Sequence, residues 1–177
     1  MQVGTIWLMM KFAHRLERLM AMDDATWERH ANPWSGWTRI PILPLLALSF
    51  WSRVWIGWWC LVPFLVLVVW TFWNPRAFAR PASTKNCMSK VTFSERVWLN
   101  ADVHPIPDHH ARMASYLSVL AGLGLVPLMW GLWVLNPWAV ALGLVVTVVG
   151  KLWQMDRMVW IYEDMKGQVP EYAAWSR

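Results

Sequence analysis

The sequence predicts an all-α, polytopic membrane protein with four transmembrane helices arranged as two hairpins. The chain has 177 residues, of which 57% are hydrophobic and only 15% are charged, whereas soluble domains are about one quarter charged. The charges are also segregated. Arg53 is the only charged residue between Ile40 and Pro75, and none occurs from Ala114 through Gly150. Apolar stretches of this length indicate membrane spans rather than a globular core.

The first apolar block, from Pro41 to Trp73, is too long for one span of about 20 residues. Ser52-Arg53 interrupts it, so we predict a helical hairpin over residues 38–73. Its first helix, to Trp51, is short and contains prolines, so it must thin the bilayer, be shielded by its neighbours or insert only partly. Its second helix, Val54 to Trp73, has full length.

The second block repeats this plan over residues 111–155. One helix is predicted from about Ala111 to Leu135. Asn136-Pro137 then supplies an N-cap and a first-turn proline for the next helix. No Gly or Pro follows Lys151 until Gly167, so the last helix should leave the membrane and continue unbroken to about Met165. The whole chain, 1–177, is predicted to be one membrane domain.

Charge and tryptophan give the same orientation. If both hairpin tips face one side, every Lys and Arg except Arg53 lies on the other, which the positive-inside rule makes cytoplasmic. Two aromatic belts agree with this. One gathers near the tips and the other near the opposite helix ends: Trp51, Trp55, Trp58, Trp59, Trp130, Trp133 and Trp138, against Trp34, Trp37, Trp70, Trp73 and Trp153. Both termini are therefore predicted in the cytoplasm of a bacterial or archaeal cell, at its inner membrane.

Three predicted cytoplasmic segments complete the layout: residues 1–37, the loop 74–110 and the tail 156–177. Within the first segment, residues 7–20 are predicted to form a basic amphipathic helix that lies on the membrane surface. The alternative is that this helix docks on a partner helix. Ser35 or Thr38 is expected to cap the first span. Thr92 and Glu95 have capping-box spacing for a short helix in the loop, and Asp108 is expected to N-cap the third span.

Polar side chains of these segments emerge on one side of the membrane and form the candidate site. The stretch VHPIPDHH, residues 103–110, holds three of the five histidines. His109 and His110 fall in the first turn of a helix, where the helix dipole disfavours imidazolium and leaves the neutral form that a metal needs. We expect Asp102 and one or more of His104, His109 and His110 to contact the Asp156–Glu163 face of the last helix, or Glu28 or Arg29 of the N-terminal segment. The candidate cluster is Glu28, Arg29, His30, Asp102, His104, His109, His110, Asp156, Arg157 and Glu163; the metal ligands, if a metal binds, would be Asp102, His104, His109 and His110.

Five strings give the chain a family resemblance: WERHANPWSGWTR (residues 27–39), NPR (74–76), ERVWLN (95–100), PIPDHH (105–110) and DRMVWIYEDM (156–165). With these strings the chain resembles an uncharacterised family of small bacterial and archaeal membrane proteins, a domain-of-unknown-function family. The resemblance implies the membrane topology and carries no activity.

Two classes of function fit. The first is a noncatalytic accessory or scaffold subunit that packs against lipid, a partner membrane protein or another copy of itself, with a structural His/carboxylate/Arg network. The second is a metal- or small-molecule-binding protein, such as an oxidoreductase or hydrolase, that uses the same cluster. No HExxH, CxxC, Walker loop or dinucleotide fingerprint occurs, and paired polar groups at a membrane boundary are common, so we favour the first. We expect bound lipid, and the sequence leaves open whether a metal binds. Nothing in it indicates binding of nucleic acid.

Overall fold

A computed structural model describes residue 20 and residues 22–177 of the chain. The amphipathic helix predicted over residues 7–20 therefore lies outside the described residues, apart from Met20. In the described part every regular element is helical and there is no strand, so the predicted all-α class is confirmed. The helices are α1 (Asp24–His30), α2 (Pro33–Arg39), α3 (Ile42–Trp51), α4 (Arg53–Ile56), α5 (Leu61–Ala77), α6 (Cys87–Leu99), α7 (Asp108–Val134), α8 (Pro137–Lys166) and α9 (Pro170–Ala173), with a 3-10 turn at Gly57–Cys60.

The helices α7 and α8 form a closely packed antiparallel pair. Asn136 accepts a hydrogen bond from the backbone N–H of Ala139, and Pro137 occupies the first turn, as predicted. The helix then runs unbroken to Lys166, which confirms the continuous last helix. Small residues permit the close approach: a Cβ added at Gly143 would lie 2.4 Å from the backbone nitrogen of Leu128.

The first apolar block is less regular than the second. Helix α3 has only 10 residues, which corresponds to about 15 Å of rise, half of the hydrocarbon thickness. It packs against α5, and the chain reverses through α4 and Gly57, whose φ of 56° favours glycine. Three helical stretches of the described chain are long and apolar enough to cross a membrane: Pro33–Ala77, Asp108–Val134 and Pro137–Lys166. The count of four spans stays a prediction.

An end layer covers one end of the long helices; we define it as α1, α2, α6, α9 and the part of α8 after Lys151. Its apolar core lies between α6 and α8, where Val97 and Ile161 are fully buried and the ring of Phe93 packs 5.2 Å from that of Tyr162. Tyr162 in turn donates a hydrogen bond to the carbonyl of Tyr172 in α9. The end layer is therefore a packed unit with its own core.

Three predicted caps are wrong, and each was read from local spacing alone. Asn86 is the N-cap of helix α6, and its side chain accepts a hydrogen bond from the N–H of Ser89. Thr92 and Glu95 therefore lie well inside the helix. Ser35 and Thr38 also lie inside a helix, because Asn32 caps the separate helix α2. Asp108 is the first residue of α7 and makes no cap bond there; Pro107 precedes it and Asp108 already has helical geometry.

Candidate functional site

The predicted N-terminal site residues have three different surroundings. Glu28 forms an ion pair with Arg80, 3.1 Å apart. The Nε of Arg29 donates to the carbonyl of Phe78 at 3.1 Å. His30 is only 3% exposed and takes part in a buried hydrogen-bond network. Only His30 therefore faces the interior of the protein.

The predicted metal ligands of the middle loop are not all brought together. Asp102 is exposed, and His104 packs edge-on against the ring of Tyr172 at 5.7 Å. His109 and His110 stand at the start of α7 with ring centroids 4.1 Å apart. The Nε2 of His110 lies 2.7 Å from Oδ2 of Asp164, a residue that the candidate cluster did not include.

The candidate site residues of the last helix form ion pairs with side chains close to them. Arg157 binds the carboxylate of its neighbour Asp156, with Nη2 2.6 Å from Oδ2. Glu163 pairs with Lys90 at 2.8 Å and with Lys166. The structure thus does not gather the ten candidate residues into one cluster, because their side chains project in different directions from α1, the middle loop and α8. The predicted contact of Asp102 with the last helix or the N-terminal segment is not made in the described residues.

A buried chain of hydrogen bonds links α1, α2 and α5. Ser35 Oγ donates to Oδ1 of Asn74 at 2.6 Å, and Nδ2 of Asn74 donates to Thr38 Oγ1 at 2.9 Å. The hydroxyl of Thr38 in turn donates a hydrogen bond to the carbonyl of Trp34 at 2.6 Å. Because Ser35 donates to Asn74, its oxygen is free to accept from Nδ1 of His30, 2.6 Å away. Each donor therefore has an acceptor along this chain, which we call the His30 relay.

Arg39 settles the tautomer of His30. Its Nη1 lies 2.9 Å from Nε2 of His30, and a guanidinium can only donate. Nε2 is therefore the acceptor, the proton sits on Nδ1, and the imidazole is neutral. Oε2 of Glu95 approaches the same Nε2 at 3.6 Å. A hydrogen bond from His30 to Glu95 would need a proton on Nε2 and would exclude the contact with Arg39.

The His30 relay borders a cavity of about 290 Å³ between the end layer and the long helices. Its lining contains both polar and apolar side chains. The polar lining residues are His30, Arg39, Thr71, Thr92, Glu95, Thr147 and Lys151, and the apolar ones include Ile42, Leu43 and Leu46 of α3, Met88 and Val91 of α6, and Val148 and Leu152 of α8. The residues of α3 and α8 belong to helical stretches that are apolar enough to cross a membrane. The cavity thus runs from a charged end layer towards the apolar helices.

The fixed charges of the cavity sum to a positive value. Arg39 and Lys151 contribute two cations, and Glu95 contributes one carboxylate. Burial opposes ionisation of Glu95, but its side chain is 32% exposed, and the charges of Arg39 and Lys151 favour the carboxylate and hold its pKa below the ordinary 4.5. Glu95 is therefore ionised at neutral pH. With His30 neutral, an excess of one positive charge faces the cavity.

Arg39, Glu95 and Lys151 were missed as site residues. Glu95 was interpreted as part of a cap, Arg39 was assigned no role, and the last helix was expected to leave the membrane near Lys151. The sequence nevertheless held a signal for two of these site residues, because Arg39 and Glu95 lie in strings that carry the family resemblance. His30, Ser35 and Arg39 belong to the first string, Asn74 to the second and Glu95 to the third. Three of the five strings thus contribute to the cavity or to the His30 relay beside it.

The comparison with protein families agrees with the resemblance seen in these strings. The family of unknown function DUF6653 matches residues 11–177 of the chain. No curated protein and no solved structure matches it. Since the match covers nearly the whole chain, including every residue of the cavity and of the His30 relay, the chain belongs to the family of unknown function DUF6653.

Proposed function

We propose that this chain is a noncatalytic multi-pass membrane protein that binds a small anionic amphiphile in the cavity beside His30. In this proposal the chain crosses the cell membrane of a bacterium or archaeon four times, as two hairpins, and the end layer lies in the cytoplasm. The ligand has a carboxylate or phosphate head and a single short apolar chain. It could be a lipid fragment or a free metabolite, which share this chemistry.

One observation carries the proposal: charged and apolar side chains line one cavity. Arg39 and Lys151 line it together with the single carboxylate of Glu95. Arg39 is half-buried, and Lys151 is exposed and donates to Oε1 of Gln154 at 3.0 Å. An anionic head between Arg39 and Lys151 would neutralise the excess charge, while Leu43 and Leu46 would contact the apolar chain.

The size of the cavity limits the ligand. Its volume of about 290 Å³ is at the lower end of small-molecule pockets, which span roughly 300 to 1,000 Å³. A two-chain phospholipid would place most of its apolar surface outside such a cavity. The volume therefore favours one short chain.

The hydrogen bonds of the site support binding rather than catalysis. Both ring nitrogens of His30 are engaged, by Ser35 and by Arg39. The hydroxyl proton of Ser35 is directed to Asn74 and away from the imidazole, whereas nucleophilic activation of a serine needs a base that accepts this proton. The pair His30–Ser35 is therefore arranged as a structural contact.

A second candidate function is the accessory or scaffold subunit, with membrane lipids and a partner membrane protein or a second copy as its contacts. The closed hydrogen bonding of the His30 relay favours it, because Ser35, Asn74 and Thr38 are satisfied without any ligand. Under this candidate the polar groups only hold α1, α2 and α5 together.

Octanoate labelled with ¹³C at its carboxyl carbon separates the two candidates. The protein is purified in an uncharged detergent, and the carboxyl resonance is compared with that in protein-free micelles. We expect a saturable shift with the parent protein. Lys151→Gln should weaken binding at least tenfold, because it removes one cation and leaves the His30 relay intact. Octanol, with the same chain and no charge, should not compete.

Arg157→Gln is the matched control, since Arg157 is a cation of the same helix that pairs with Asp156 outside the cavity. It should bind octanoate like the parent. A resonance identical to that in empty micelles would overturn the binding proposal and leave the accessory role. Equal weakening by Lys151→Gln and Arg157→Gln would also overturn it, because binding would then follow surface charge alone.

A further inference from the structure

We propose that His109, His110 and Asp164 form a binding site for a divalent transition-metal ion that bridges α7 and α8. This site lies apart from the cavity beside His30, and the inference does not depend on the proposed function. Of the metal ligands predicted from sequence, it retains His109 and His110, omits Asp102 and His104, and adds Asp164.

The geometry places three donor groups around one point. His109, His110 and Asp164 each offer one ligand atom, and these atoms all lie within 4.8 Å of one another. Within the trio, Nε2 of His110 is 2.7 Å from Oδ2 of Asp164, and the two imidazole rings have centroids 4.1 Å apart. Metal–nitrogen and metal–oxygen bonds of about 2.1 Å in a tetrahedral site separate two ligand atoms by about 3.4 Å. Small side-chain rotations in this trio suffice to reach that separation.

Two rigid elements carry the three ligands. His109 and His110 occupy the first turn of α7, which has 27 residues, and Asp164 lies in the last turn of α8, which has 30. These helices pack against each other along their length, so the distance between the two ends is set by the fold. A ligand set that is already assembled binds without an ordering cost in the chain.

The donor set selects the class of ion. Two imidazole nitrogens and one carboxylate oxygen suit Zn²⁺, Co²⁺ or Ni²⁺, whereas Ca²⁺ and Mg²⁺ prefer sites made only of oxygen. His109 and Asp164 are exposed, so water can complete the coordination sphere. Metal binding at Nε2 of His110 replaces the proton in its hydrogen bond with Asp164: a neutral imidazole then carries this proton on Nδ1, whereas an imidazolium releases one proton to solvent. No oxidation or reduction is involved.

The test is a titration of the full chain with Zn²⁺. The protein is purified with an affinity tag that contains no histidine, treated with a chelator, and titrated in competition with a chromophoric zinc indicator. We expect one equivalent to bind with a dissociation constant in the micromolar range or below. Zn²⁺ should also raise the melting temperature, because the ligands come from two helices that are held together only in the folded state.

His110→Gln and Asp164→Asn should each lower the affinity at least tenfold and abolish the thermal shift. Asp164→Asn changes an exposed side chain, so it leaves a folded protein whose melting temperature without metal checks the fold. His104→Gln is the matched control, since His104 lies in the loop just before α7 and packs against Tyr172; it should bind like the parent. Binding of less than one equivalent by the parent, or equal loss in His104→Gln and His110→Gln, would overturn the proposal.

Discussion

Nη1 of Arg39 lies 2.9 Å from Nε2 of the buried His30, so the guanidinium donates to a neutral imidazole. This contact joins the end of α1 to the end of α2. It also orders the protons of the His30 relay, because the remaining ring proton must lie on Nδ1 and point to Ser35. A proton added at Nε2 would break the contact, place two cations side by side and leave Glu95, 3.6 Å away, as the nearest acid.

Ser35→Ala tests the His30 relay. The substitution leaves Nδ1–H of His30 and Oδ1 of Asn74 without their partner in a buried site, and an unsatisfied buried polar group costs about 1–3 kcal/mol. We expect a clear fall in melting temperature in detergent. Ser176→Ala removes an exposed hydroxyl that donates to the carbonyl of Ala173, three residues away, and it should melt like the parent. Equal melting of Ser35→Ala and the parent would show that the relay does not stabilise the fold.

The sequence was sufficient for the features that depend on neighbouring residues. Apolar length and charge segregation predicted an all-α chain with long apolar helices, and Asn136-Pro137 predicted the start of α8. The cavity depends instead on His30, Arg39, Glu95 and Lys151, which are up to 121 positions apart in the chain. The hydrophobic periodicity of the sequence does not show which faces of α2, α6 and α8 contact one another. Local spacing even misled the prediction at Glu95, because the capping-box pattern occurs inside a helix that starts at Cys87.

Glu95→Gln should change how stability depends on pH. The charges of Arg39 and Lys151 hold the pKa of Glu95 below its ordinary value of 4.5 in the folded protein, so its ionised form stabilises the fold above about pH 4.5. That contribution is lost as the pH falls below about 4.5. We expect parent and variant melting temperatures to differ most at pH 6 and to converge towards pH 3.

The control for this experiment is Glu171→Gln, which alters an exposed carboxylate on α9. Its melting temperature should follow that of the parent at each pH. A constant difference between Glu95→Gln and the parent from pH 6 to pH 3 would contradict the lowered pKa of Glu95, since the variant would then be destabilised by a change in packing alone.

Native Cys87 can report the proposed orientation, because it is exposed while Cys60 is buried. If the end layer is cytoplasmic, a membrane-impermeant maleimide should label Cys87 only after the cells are opened. Val54→Cys, in a chain that also carries Cys87→Ser, adds a thiol at the exposed tip between α3 and α5; it should be labelled in intact cells if α3 spans the membrane. Labelling of Cys87 in intact cells would contradict the orientation, and protection of Val54→Cys would contradict four spans.

Two glycines of the α7–α8 pair should respond in opposite ways to the same added methyl group. At Gly143 a Cβ would lie 2.4 Å from the backbone nitrogen of Leu128, so Gly143→Ala must push α7 and α8 apart. Overpacking of this kind costs about 1–3 kcal/mol. At Gly122 nothing lies within 4 Å of the added Cβ, so Gly122→Ala should gain about 0.5–1 kcal/mol from its better helix propensity. Thermal melting of both variants in the same detergent checks the pair: a rise for Gly122→Ala beside a fall for Gly143→Ala is expected. If the two variants shift alike, the backbones of α7 and α8 are not in direct contact at Gly143.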